Sequence, residues 1–278
     1  MRYVYPQGKE KALTFSYDDG QEYDRRLVGI FNQYGLKATF HLNSGTLGED
    51  TEKDKFIKPE EVAGLYEGHE VACHGVEHKN LPTISRALVS KELAEDRLAL
   101  EKLTGKLVQG LSYAFGSYSQ EIMETAKSVG IKYSRTVNST NGFFPPVDFM
   151  AWHPTCHHEG RLMELGDAFL EVPEYIELPL MYVWGHSFEF GRSDDWSVIE
   201  AFAEKMSGRE DIWYATNGEI CDYITAVRHQ EYSADGSIMY NPTAISIWLC
   251  TDKGLVEVKP GETRRLEPEL PVMARNHK

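Results

Sequence analysis

A chain of 278 residues with 41% hydrophobic content can bury one large core or two small ones. Its formal net charge of −14 excludes nucleic acid and an anionic membrane as main partners. No stretch approaches transmembrane length, and Met1 to Gly8 lack the apolar run of an export signal, so a cytoplasmic location is expected. Cys73, Cys156, Cys221 and Cys250 are scattered without Cys-x-x-Cys spacing and read as reduced thiols, mostly buried.

The first strand signal is the apolar run Ala12-Leu13-Thr14-Phe15, which leads into Ser16-Tyr17-Asp18-Asp19-Gly20. Leu27, Ile30, Phe31 and Tyr34 then recur at helical spacing, and Gly35 ends the pattern. Lys37 to Leu42 predicts a second strand, a helix follows Pro59 as far as Gly68, and His69 to Cys73 predicts a short strand ending at His74. A long helix is predicted from Arg86 to Leu103, with Val89, Leu93, Leu100 and Leu103 on one stripe and Gly105 as its cap. Leu107 to Leu111 reads as a strand, Gln120 to Val129 as a helix capped by Ser119, and Ile131 to Val137 as another strand. From Asn138 to Tyr175 there is no period, and so long a loop in a compact domain points to function. Ile176 to Trp184 predicts a late strand leading to Gly185-His186, followed by helix, strand and helix over Trp196 to Met206, Ile212 to Ala215 and Glu219 to Arg228. Asn217 and Gly218 either line a rim or begin the last helix.

Strands and helices alternating in six or seven units predict a parallel sheet or barrel over residues 1–229. From 230 to 278 the pattern changes. Ala244 to Leu249 and Leu255 to Val258 pair across Asp252-Lys253-Gly254, which predicts a short C-terminal β appendage packed on the barrel.

Two adjacent acids repel, so Asp18-Asp19-Gly20 needs a cation, a proton or water beside it. At a strand tip one carboxylate can ligate a metal while the other accepts a proton; ordinary turn chemistry explains the same three residues. His74-Gly75-Val76-Glu77-His78 sets two imidazoles four residues apart directly after a strand. Both motifs follow predicted parallel strands and so fall on the C-terminal rim. Zinc and related divalent ions accept two histidines and one carboxylate with open positions left over, which makes Asp19, His74 and His78 candidate ligands. Solvated surface histidines are the alternative.

With Ser-Tyr-Asp-Asp-Gly, Gly68-His69-Glu70-Val71-Ala72-Cys73-His74 on to His78, Ser112-Tyr113-Ala114-Phe115-Gly116 and a late strand ending at His186, the chain resembles the polysaccharide deacetylases of the NodB homology domain, carbohydrate esterase family 4. The resemblance covers roughly Lys11 to Arg228. It implies a distorted (β/α) barrel of about seven parallel strands and metal-dependent hydrolysis of acetyl groups from N-acetylated or O-acetylated sugars. It further implies Asp18 as general base, Asp19, His74 and His78 as metal ligands, the Phe115 backbone N–H as oxyanion donor and His186 as general acid. The implied cofactor is a divalent ion, zinc first, with cobalt, nickel, manganese or iron as alternatives. The implied partner is an acetylated carbohydrate or small amide, with no nucleic acid and no membrane.

Where the family's third motif begins with arginine, this chain has Ser112, and Arg135 on the next strand is the nearest substitute. Asp148 and Trp152 stand at the spacing of the family's Asp/Trp motif, and Tyr113 and Trp184 are further candidates for binding or orienting substrate. His153, Cys156, His157 and His158 read as a substrate-binding or structural loop in preference to a second metal site. His41 is expected to pack. Two other readings compete: a cyclic imide or ureide amidohydrolase on the same scaffold, and a catalytically weak carbohydrate-binding protein that keeps the metal site.

Overall fold

In the computed structural model, which describes residues 1–266, a short strand β1 (Arg2–Val4) precedes the long β2 (Lys11–Asp19). Alternation along β2 decides the layout. Leu13, Phe15 and Tyr17 join a large apolar cluster with the surrounding helices, whereas Thr14, Ser16 and Asp18 are buried on the opposite, lumen face. Fully burying one such large apolar side chain contributes roughly 1.5–3 kcal/mol. The pattern is therefore a strong constraint on register, since a slip of one residue would exchange the two faces.

After β2 come α1 (Asp24–Gln33), β3 (Ala38–Leu42), α2 (Val62–Leu65), β4 (Glu70–Cys73), α3 (Arg86–Thr104), β5 (Gly110–Ser112), α4 (Gln120–Ser128) and β6 (Tyr133–Arg135). The second half supplies β7 (Cys156–His157), α5 (Leu162–Leu170), β8 (Leu180–His186), α6 (Ser187–Ser193), α7 (Ser197–Met206), β9 (Ile212–Tyr214) and α8 (Asn217–Arg228). Seven strands run in the order β6-β5-β4-β3-β2-β8-β7, every pairing parallel, and β9 pairs with the start of β2. Trp152 closes the ring: its N–H donates to Ser134 O and its carbonyl accepts from Thr136 N on the β6 side, and three residues on the Thr155 N–H donates to Tyr182 O of β8. The architecture is a distorted (β/α) barrel. No helix among the described residues is long and apolar enough to cross a membrane.

The late strand begins at Leu180 instead of Ile176, and the aperiodic stretch contains β7 and α5. A two-residue strand carries too little sequence for any period to show. In α5, Leu162, Leu165, Gly166 and Phe169 do form a buried stripe, hidden in the sequence by the Pro- and Gly-rich flanks. The first strand of the chain shares a sheet with two late ones. β1 pairs antiparallel with β12 (Ile247–Thr251), which pairs with β13 (Gly254–Val258). A second small sheet joins β10 (Glu231–Tyr232), β11 (Ile238–Tyr240) and β14 (Thr263–Arg265). Residues 267–278 of the expected appendage lie outside the described residues.

One buried acid ties α1 to α6. Asp24 accepts from Ser187 Oγ at 2.5 Å and from Tyr66 Oη at 2.6 Å. Burial raises its carboxyl from 3.8 to about 7, against the lowering effect of both hydroxyls. The folded state therefore holds the proton more strongly than the unfolded chain. Its stability is greatest below about pH 4 and declines towards about pH 7, by at most ~1.4 kcal/mol per pH unit from this group. Asp24→Asn should flatten that decline in thermal unfolding measured between pH 4 and 8; an unchanged slope would assign the titration to another group.

Candidate functional site

Every candidate on the C-terminal rim is placed by the end of a strand. Asp18 is the last lumen-facing residue of β2 and lies in register with His41 of β3 and His186 of β8. Asp19 would point the other way in a regular strand, but its φ of +79° swings the carboxylate back over the rim. Gly20, at φ +67°, carries the chain out of the turn. His78 and Phe115 also have positive φ, at +52° and +60°. Three non-glycine residues in this uncommon region lie around one mouth, where rigid surroundings must hold them.

Those surroundings come largely from α3. Asp96 Oδ2 accepts the His74 and Gly75 amides at 3.0 and 2.9 Å, and its Oδ1 accepts the Ser44 amide at 2.9 Å. Glu92 accepts the Glu77 amide at 2.6 Å. Both acids are buried with Val89, Leu93 and Leu100. An acid on an apolar helical stripe was a signal available in the sequence, and Glu92 and Asp96 went unremarked.

The first cluster is Asp19, His74 and His78, whose ligand atoms lie within 4.8 Å of one another. His74 Nε2 is 3.5 Å and His78 Nε2 is 3.8 Å from Asp19 Oδ1. His74 Nδ1 lies 2.9 Å from the Ser112 carbonyl and 2.6 Å from Ser112 Oγ. A carbonyl can only accept, so Nδ1 carries the proton and the Nε2 lone pair faces Asp19. Burial holds the His74 imidazole at about 3, hence neutral. Burial and the adjacent Asp18 charge push the Asp19 carboxyl up, so a cation there would relieve it. Tautomer, charge and donor set all fit a divalent ion of the zinc class.

Asp18 lies deeper. Burial alone would raise its carboxyl, yet Arg135, His74, His41 and His186 together hold it well below the usual carboxylate range. Arg135 Nη2 donates to Asp18 Oδ2, and Ser112 Oγ donates to Oδ1 at 3.1 Å. Arg135 is fully buried and stacks over Trp184, 4.3 Å from the ring centroid. The guanidinium thus reaches Asp18 from β6, while Ser112 links Asp18 to His74. His41 donates from Nδ1 to Cys73 O at 3.2 Å, and its Nε2 faces the interior with no partner among the described residues.

His186 ends β8, about four-fifths of its side chain buried, with Nδ1 3.3 Å from Glu189 Oε1. Burial lowers its pKa, but Glu189, Asp18 and Asp19 outweigh this and the net shift is upwards. Glu189 Oε2 also accepts the His186 amide at 2.9 Å. Glu189 was missed in the sequence; its trace there is an acid three residues into a helix that starts at His186.

Residues 6–134 match the family described as Polysaccharide deacetylase. A chitin deacetylase from Pestalotiopsis sp is 30% identical over 97 residues, 34% of this chain and 30% of that protein. An Arthroderma benhamiae protein, provisionally named a peptidoglycan-N-acetylglucosamine deacetylase, is 28% identical over 116 residues, 41% of this chain and 25% of its own. Just under half of this chain is therefore similar to the polysaccharide deacetylases. It spans less than a third of the length of either curated relative. A crystal structure from Mycobacterium smegmatis, also provisionally named a polysaccharide deacetylase, shares the fold at 18% identity and a TM-score of 0.61, over 82% of this chain and 95% of that one.

The remaining candidates take varied positions. Asp148 Oδ1 caps a short turn by accepting from Met150 N at 2.8 Å. Trp152 is fully buried against Tyr133, Phe149 and Tyr182. Tyr113 is buried and donates to Met150 O at 2.9 Å. The Phe115 side chain does not pack in the core: it is 65% exposed, its ring 4.5 Å from that of His78. Asn217 belongs to the opposite end of the lumen, donating to Tyr182 Oη and receiving from Thr14 Oγ1.

Arg135→Met leaves Asp18 buried without its cation and should cost about 3–5 kcal/mol in chemical denaturation. Adding Asp18→Asn to Arg135→Met should recover part of that loss, because the stranded charge is gone. Two losses that simply add would argue against direct coupling.

Proposed function

We propose that this protein is a metal-dependent hydrolase that removes acetyl groups from an N-acetylated or O-acetylated sugar or oligosaccharide. The observation that carries the reading is one rim shared by an ionised buried carboxylate, a converging Asp19/His74/His78 donor set and an imidazole raised by its own carboxylate. The match over residues 6–134 supports the same reading.

Asp19, His74 and His78 would hold the ion; when bound, it supplies a Lewis acid for the acetyl carbonyl and lowers the pKa of water beside it. Asp18 then serves as general base. Arg135 and Ser112 keep it ionised and fixed, so its free lone pairs are available for the proton of the attacking water. The Phe115 N–H, in a turn where φ is positive, is the proposed donor to the developing oxyanion. His186 delivers the proton to the leaving nitrogen or oxygen, and Glu189 keeps its ring charged and oriented. Trp184, between Arg135 and His157, limits water around the acid.

The rival imide or ureide hydrolysis is less favoured because the three candidate metal ligands converge in one cluster. Acetate release from a panel of N- and O-acetyl sugars, before and after metal removal, tests the reading directly. Loss of acetate release on chelation with return on added zinc is expected; ureide cleavage without acetate release would replace the proposal.

Asp18→Asn should retain the ion and lose nearly all turnover at saturating metal, whereas Asp19→Ala should lose the ion shared with His74 and His78. Rescue of Asp18→Asn by added metal, with Asp19→Ala left inactive, would exchange the two roles. His186→Ala should slow turnover roughly 10²–10⁴-fold with metal content unchanged.

Because His186 must be protonated to act, kcat/KM should fall on the alkaline side, at a pH above the ordinary imidazole value of 6.5. Glu189→Gln removes the neighbour that raises it and should move that limb to lower pH. A limb that stays in place would free Glu189 of any part in positioning the acid.

A further inference from the structure

Glu189 gathers more imidazole than His186 alone requires. His157 Nε2 and His158 Nε2 each lie 3.2 Å from Glu189 Oε2, on the side away from the His186 ring contact at Oε1. His157 and His158 are neighbours in sequence at the end of β7, where side chains should diverge. Here they converge. His157 leans on Trp184 from the lumen side, with centroids 4.7 Å apart, while His158 stacks between Tyr17 and Phe190 on the helix side.

The His158 seat is built for the ring and for nothing larger. Its side chain is fully buried, and a Cβ on Gly185 would stand 1.9 Å from its Nδ1. Neither ring nitrogen of His158 has a hydrogen-bond partner among the described residues. A buried, unpartnered imidazole is costly unless something completes it.

Ligand atoms bound at about 2.0–2.1 Å around a tetrahedral ion lie roughly 3.3 Å from one another. The two spacings of 3.2 Å agree with that figure, and the ligand atoms of His157, His158 and Glu189 all fall within 4.8 Å. Glu189 is further fixed by the His186 amide on Oε2, an outer contact that orients a ligating carboxylate. We propose that His157, His158 and Glu189 form a second site for a divalent transition ion of the zinc class, separate from Asp19, His74 and His78. One contact must yield on binding. His157 Nδ1 accepts the Glu159 amide at 3.2 Å, and ligation through Nε2 places the proton on Nδ1 instead. That bond is exposed, so its loss to water is a small cost.

Zinc binding by the whole chain, stripped with a chelator and titrated against a chromophoric competitor, tests this without reference to catalysis. Wild type should take up two equivalents. Glu189→Gln and His157→Ala should each take up one, Asp19→Ala should take up one, and the Glu189→Gln, Asp19→Ala double variant none. His157 is half-buried, so its replacement carries the test if Glu189→Gln fails to fold by circular dichroism. A single equivalent in wild type, or two in both Glu189→Gln and His157→Ala, would overturn the second site. Uptake of two equivalents in a protein that releases no acetate would leave this site standing and remove only the proposed activity.

Discussion

The constraint on which the rim depends is the buried ion pair between Asp18 and Arg135. Two full charges inside a barrel lose several kcal/mol of hydration each, and only close contact with further hydrogen bonds offsets that. Here the contact is complete on both sides. Arg135 also donates to Thr136 O and lies on Trp184, while Asp18 also accepts from Ser112. The pair reaches from β2 to β6 across the lumen, so it fixes the position of one wall against the other. Ser112 joins it to His74, which means the Asp19, His74 and His78 cluster inherits its geometry from the same pair.

Above that pair the backbone departs from regular structure at chosen points. Asp19, His78 and Phe115 take positive φ, which regular strands and helices forbid to them. Such positions persist only if neighbours hold them, and α3 provides this for the His74 to His78 loop through Asp96 and Glu92. Two adjacent acids can therefore do separate work. Asp18 stays with the lumen, and Asp19 is turned over the edge.

The legible part of this molecule was the part written as periodicity and as local motif. The apolar run that opens β2, the helical stripes of α1 and α3 and the cap at Ser119 all have direct counterparts in the structure. So do the coming together of Asp19, His74 and His78 and the barrel itself, which the neighbours in fold share. What escaped was set by distance in sequence. The partnership of Arg135 with Asp18 spans 117 positions, and no local pattern distinguishes it from a surface arginine. β1 has only three residues and becomes a strand because β12 lies beside it. Glu189 resembles any acid in a first helical turn until β7 brings two histidines to it. Phe115 stands in a positive-φ turn that leaves its ring in solvent, which no local pattern of apolar residues announces.

The same rim holds imidazoles of opposite character, and their surroundings account for the division. His74 is enclosed, donates its one proton to Ser112 and has its pKa pulled down, which leaves a neutral donor atom. His186 is only partly enclosed and faces three carboxylates, Glu189, Asp18 and Asp19, which outweigh its burial and favour the charged ring. One is therefore suited to ligation and the other to giving up a proton. Asp18 completes the division from the other side. Held far below the ordinary carboxylate range, it is ionised at every working pH but is a weak base on its own. Such a base can accept a proton from water only if that water has been made more acidic, which a cation held by the neighbouring Asp19, His74 and His78 cluster would do. On the proposed reading, the low pKa of Asp18 and the donor set of its neighbours are two halves of one requirement.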